Sequence, residues 1–157
     1  MRQAIFLYAV ALVAANLTVA AFGPKVAIVN AFLFIGLDLT LRDVLQDRLK
    51  PWQMAALIAC TGLATYALNP AASVIAVASA VAFTCAAAAD WAAYSAVRAS
   101  WLTRANCSNV VGAAVDSLVF PTLAFGGFSP EITLQMFAAK VAGGAAWAWA
   151  LSRRAGR

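Results

Sequence analysis

Apolar residues run through this chain in long stretches separated by short polar punctuation. Runs at 4–22, 26–41, 52–68, 73–97, 106–125 and 132–151 each approach the roughly 20 mostly apolar residues needed to cross a bilayer as a helix. The breaks between them are turn and stop signals: Gly23-Pro24, the charged segment RDVLQDRLKP ending at Pro51, Asn69-Pro70, the basic stretch from Arg98 to Arg104, and Gly126-Gly127 after Pro121. The pattern predicts an all-α membrane protein, a six-transmembrane-helix bundle that fills residues 1–157 as a single integral membrane domain. Arg2 followed by the first run has the start of a secretory signal. That run is longer than a signal h-region, and more spans follow with no soluble domain to export, so a retained first span is expected.

Composition agrees with the pattern. The chain of 157 residues is 64% hydrophobic, has a mean hydropathy of +0.85 and is only 11% charged, against about 25% charged in soluble domains. It has no histidine, and its 3 cysteines, Cys60, Cys85 and Cys107, show no CxxC spacing. They read as core filler. Histidine-based acid–base chemistry and histidine metal sites are excluded, and no GxxxxGK[ST] loop supplies an ATP site. An enzyme is therefore not expected, nor is a cofactor or a metal.

The net charge of +5 would suggest nucleic acid in a soluble protein, but here its distribution matters more, and no nucleic-acid partner is expected. With six spans, Arg2, Arg42, Arg48, Lys50, Arg98, Arg104, Arg153, Arg154 and Arg157 fall on one side, against Lys25 on the other and Lys140 within a span. The positive-inside rule makes the first group cytoplasmic, with both termini cytoplasmic in a multi-pass protein of the cell (inner) membrane.

The informative residues are the polar ones inside the runs. Asp116 lies near the middle of the fifth, with Gly112 one turn and Asn109 two turns earlier on roughly the same face. A charged side chain at such depth costs about 2.5 to 3.5 kcal/mol on insertion scales, so it should face a bundle interior, a cavity or a partner. Asn16, Asn30, Asp38, Asp90 and Lys140 pose the same question. Asp38 has Arg42 at i+4, which alone would account for it. Lys140 is expected to neutralise Asp116 or Asp90. The carboxylates outnumber the lysine, and the vacancy suits a ligand with several N–H donors, such as a guanine-like ring held bidentately by one carboxylate. Trp91 and Tyr94, beside Asp90, could stack on such a ring. A proton-coupled carrier or a cation site would use the same residues.

Four pieces, taken together and in order, carry a resemblance: GLDLTLRD at 36–43, ASAVAFTCAAAADWAAYSAVR at 78–98, SNVVGAAVDSLVF at 108–120, and Lys140. Over nearly the whole chain they resemble the queuosine precursor transporter family, also called the VUT family. The resemblance implies import of 7-cyano-7-deazaguanine, or a related 7-deazaguanine, for queuosine biosynthesis and tRNA modification. It puts Asp38, Arg42, Asp90, Asn109, Gly112, Asp116 and Lys140 at matching positions. This chain departs from the family in being short, in its trimmed loop near Asn69 and in the alanines that precede Asp90. Six-span chains of this size also resemble substrate-binding subunits of energy-coupling vitamin importers, which would make ATPase and coupling subunits the partners. A non-transporting assembly protein is the third reading. The expected partners are a small-molecule substrate and the lipid bilayer, with homo-oligomerisation left open.

Overall fold

A computed structural model describes residues 2–46 and 48–155. Arg157, counted in the basic tail, lies outside them. The helices are α1 (Arg2–Phe22), α2 (Pro24–Asn30), a π-helical turn (Ala31–Ile35), α3 (Gly36–Gln46), α4 (Pro51–Leu68), α5 (Ser73–Ala96), α6 (Trp101–Ala124) and α7 (Pro130–Ala155). Because α2, the π turn and α3 follow without interruption, they form one rod, and the described residues make six helical rods. By length and composition, Arg2–Phe22, Pro24–Leu45, Ser73–Ala96 and Trp101–Ala124 are apolar enough to cross a membrane.

Local chemistry sets the boundaries. Gly23 adopts φ 72°, a backbone state open to glycine, and Pro24 follows in the first turn of α2, where its missing N–H costs nothing. The hydroxyl of Ser100 accepts from the Thr103 amide at 3.3 Å and opens α6. Two breaks expected from the sequence are not breaks. Leu41 and Leu45 are buried and carry the second helix on to Gln46, so Arg42 belongs to the rod and not to a cytoplasmic loop. Pro121 lies within α6, which continues to Ala124. The basic stretch after Arg98 is likewise mostly helical, since α6 starts at Trp101.

The helices pack mainly as α5 on α6, α6 on α7, and α7 back against α3 and the π turn, while α1 lies against the α2–α3 rod and α4. Polarity is inverted relative to a soluble protein. Phe6, Phe22, Leu63, Leu68, Val77 and Leu134 are exposed, whereas Asp38, Arg42, Asp43, Asp90, Asp116 and Lys140 are buried. Exposed apolar side chains of this kind suit hydrocarbon as their solvent. The three cysteines, expected as core filler, are all exposed. The interior is filled instead by alanines on α5 and by Tyr8, Leu12, Leu39 and Phe83.

The α2–α3 rod and α7 touch backbone to backbone. A Cβ added to Gly36 would stand 2.6 Å from the Gly143 carbonyl carbon, and one on Gly143 would overlap the Phe32 carbonyl oxygen. The closeness lets Thr40 donate from its hydroxyl to the Gly144 carbonyl at 3.1 Å, and the Trp147 indole to the Leu33 carbonyl at 3.1 Å. Small residues serve this purpose in membrane bundles. Gly143→Ala is therefore expected to lower stability by at least the 1 to 3 kcal/mol or so typical of overpacking, seen as a lower thermal midpoint in detergent. An unchanged midpoint would mean the rods do not meet here.

Candidate polar core

The charged residues gather in a layer across the bundle, contributed by α3, α5, α6 and α7. On α3, the guanidinium of Arg42 donates to Asp38 at 2.8 Å, both side chains being fully buried, and also lies 5.7 Å from the Phe83 ring centroid. Tyr8 of α1 faces this pair. Five residues beyond Asp38, the carboxylate of Asp43 accepts the Ser108 hydroxyl at 3.0 Å, tying α3 to α6. The ammonium of Lys140 on α7 donates to Oδ2 of Asp116 on α6. Of the two partners the sequence allowed for Lys140, the structure places Asp116 there. Asp90 packs against Gly112, where a Cβ would sit 3.2 Å from the Asp90 Cβ; the missing side chain at 112 is what admits the carboxylate between α5 and α6.

Several polar atoms in this layer have no hydrogen-bond partner among the described residues: Oδ1 of Asp116, both amide atoms of Asn109, the Ser117 hydroxyl, and Nε and Nη1 of Arg42. Asn109 is only 2% exposed and leans on Gly144. Buried polar groups are rarely left this way, and an unmet donor or acceptor costs about 1 to 3 kcal/mol.

A central cavity is lined by Asn16, Asn30, Ser79, Asp116 and Lys140, with Phe83, Phe120 and Met136 among its apolar walls. Its volume of about 20 Å³ is room for roughly one water, not for a heterocycle. Asn30 spends its amide on the Ala15 carbonyl at 3.1 Å and the Thr18 hydroxyl at 2.7 Å. Asn16 donates to the Thr65 hydroxyl at 3.3 Å, joining α1 to α4. Both asparagines thus line the cavity while also bridging helices.

The two aromatics do not join this centre. Trp91 is exposed and lies on a separate apolar groove of about 410 Å³ between α4 and α5, with Pro51, Met54, Ile58, Thr84 and Ala88 on its walls. Tyr94 is buried, but its ring carries the Arg104 guanidinium at 3.8 Å, and its carbonyl accepts from Arg104 Nε at 3.2 Å. The expected stacking pair is therefore not assembled around Asp116.

Residues that the sequence reading passed over include Tyr8, Ser79, Asp43 and Ser108. Ser108 and Asp43 had a signal: Leu41, Val44 and Leu45 keep helical spacing past the expected end of the second run, which would have carried Asp43 inside. Tyr8 and Ser79, single residues in apolar runs, had none.

No curated protein and no solved structure matches the chain. A family model described as "Putative vitamin uptake transporter" matches residues 2–152, nearly the whole length, and the chain belongs to that family.

Proposed function

We propose that this chain imports a 7-deazaguanine, 7-cyano-7-deazaguanine or a close relative, through one six-span inner-membrane domain whose termini both face the cytoplasm. The observation that carries the reading is the state of Asp116. It is buried on the cavity wall, held on one oxygen by Lys140 and open on the other. A planar ring bearing an N1–H and an exocyclic amino group supplies donors for that oxygen and for the spare lone pair of the other. Asn109, with an unspent donor and acceptor, lies two turns away on the same helix and can meet a further ring edge. Because the present cavity fits about one water, the substrate enters only when helices separate. This form is accordingly the occluded one of an alternating-access cycle, and the π turn beside the Gly36–Gly143 contact is a natural place for the rod to flex.

Two experiments bear on the reading. Proteoliposomes containing the purified chain alone should take up labelled 7-cyano-7-deazaguanine, whereas uptake that requires added ATPase and coupling subunits would favour a substrate-binding subunit. For topology, burial of Arg42 removes one residue from the cytoplasmic tally, but Arg2, Arg48, Lys50, Arg98, Arg104 and Arg153 still oppose Lys25. Reporter fusions after Asn69 and after Arg157 should report opposite compartments. The same compartment for both would refute six spans.

A further inference from the structure

A second opening lies on the outside of the bundle, where α4 and α5 splay apart. The groove of about 410 Å³ between them falls within the roughly 300 to 1,000 Å³ of small-ligand sites. Both of its ends are defined. At the closed end a Cβ added to Gly62 of α4 would meet the Ala80 Cβ of α5 at 3.8 Å, so the helices are in contact there. At the open end Leu49 and Pro51 stand on one side of the mouth and Trp91 on the other, with Pro51 and Trp91 exposed. Ala80 and Trp91 are 11 residues apart, which is about 16 Å along a helix. That length is close to half of the roughly 30 Å hydrocarbon core.

The wall and the mouth differ in chemistry. Met54, Ile58 and alanines make most of the wall, and its one hydroxyl, that of Thr84, donates to the Ala80 carbonyl of its own helix at 2.7 Å. A guest lying along it therefore meets no unspent donor or acceptor and must be apolar. At the mouth, Leu49 is flanked in sequence by Arg48 and Lys50, both exposed, and Trp91 presents the amphipathic ring typical of a membrane interface. The segment 47–50 carries two bases against one acid, Asp47, which lies outside the described residues. Helix α4 has no charged residue, and the one on α5, Asp90, is buried against Gly112. Cationic charge is thus confined to the open end of the groove.

Resting on the six-span topology and not on import, we propose that the α4–α5 groove binds one acyl chain of an anionic phospholipid from the leaflet on the Arg48 and Lys50 side. The phosphate sits between those two side chains, which reach it by extending toward the interface, and the tail ends against the Gly62–Ala80 closure. A groove of half the bilayer's depth suits a chain from one leaflet. A spanning helix of a second copy needs a seam along the whole of α4 and α5, which that closure denies. A zwitterionic lipid fills the same wall but gains less at the mouth, because basic residues near the surface attract headgroups of net negative charge.

Native mass spectrometry of the purified full chain, titrated in detergent with phosphatidylglycerol or phosphatidylcholine of matched chains, reads the site. One phosphatidylglycerol should stay bound at concentrations about tenfold below those needed for phosphatidylcholine. Ala88→Phe, which puts a ring into the groove from an exposed position, should remove that adduct and leave the lipid-free thermal midpoint unchanged. Ala55→Phe does the same from the facing helix should the first variant fail to fold. Arg48→Gln combined with Lys50→Gln should bring the two lipids to equal affinity. No retained lipid, equal retention of both lipids by the wild-type chain, or retention untouched by the groove-filling variants overturns the proposal, the last leaving only a charged surface. A two-chain species that Ala88→Phe abolishes overturns it too, and makes the groove an interface between copies. Import and topology are judged separately, by uptake and by the reporter fusions.

Discussion

Lys140→Ala is expected to destabilise the protein by about 3 to 5 kcal/mol, the range for removing one member of a buried ion pair. The cause is what remains. Lys140 and Asp116 are both buried, and the ammonium is the partner of Oδ2. Without it the carboxylate keeps its desolvation and loses its counter-ion, while the space vacated by the long side chain opens toward the cavity. Lys140→Met combined with Asp116→Asn removes both charges and keeps most of the volume, so it should recover much of the loss, since neutral replacements of buried pairs are often tolerated. Membrane yield and the thermal midpoint in detergent measure both variants. A single Lys140→Ala at wild-type stability would mean that Asp116 is neutral in the folded protein and that the pair contributes nothing.

That Lys140 needed a buried partner was legible in the sequence, because an ammonium inside an apolar run has few alternatives. Which aspartate it meets was not, because that depends on how α6 and α7 are rotated against each other, where Gly144 of α7 lies against the Asn109 side chain of α6. The helices were legible as apolar runs, and their turns as Gly23-Pro24 and Asn69-Pro70. The end of the second rod was misplaced because Arg42 and Asp43 look like solvated loop residues in a local reading. Their partners, Asp38 and Ser108, make them interior ones, and Ser108 is remote in sequence. Trp91 follows Asp90 in the chain, but adjacent helix positions point about 100° apart, and only Asp90 faces inward. The cavity's small volume was outside the reach of the sequence, since a list of polar residues says nothing about whether their helices are closed together.

Asp116→Asn is expected to abolish discrimination among purines. If its carboxylate accepts the N1–H and amino hydrogens of a 7-deazaguanine, the buried acceptors are satisfied only when both donors are present. Adenine lacks the N1–H and hypoxanthine lacks the amino group, so each leaves a charged acceptor unmet. That costs at least about 1 to 3 kcal/mol, which corresponds to binding at least about tenfold weaker for each 1.4 kcal/mol. An asparagine offers one acceptor oxygen and turns an N–H₂ toward the ligand's own donors. It also removes the negative charge facing Lys140, so the stability of the variant must be followed alongside its binding.

The most direct measurement is equilibrium binding of 7-cyano-7-deazaguanine, adenine and hypoxanthine to the purified chain and to Asp116→Asn, with thermal midpoints recorded for both. The account predicts that the wild-type chain binds 7-cyano-7-deazaguanine at least about tenfold more tightly than either competitor, and that folded Asp116→Asn binds it weakly and without preference. Wild-type affinity and the same ranking in Asp116→Asn would contradict it, leaving Asp116 as a structural partner of Lys140 alone.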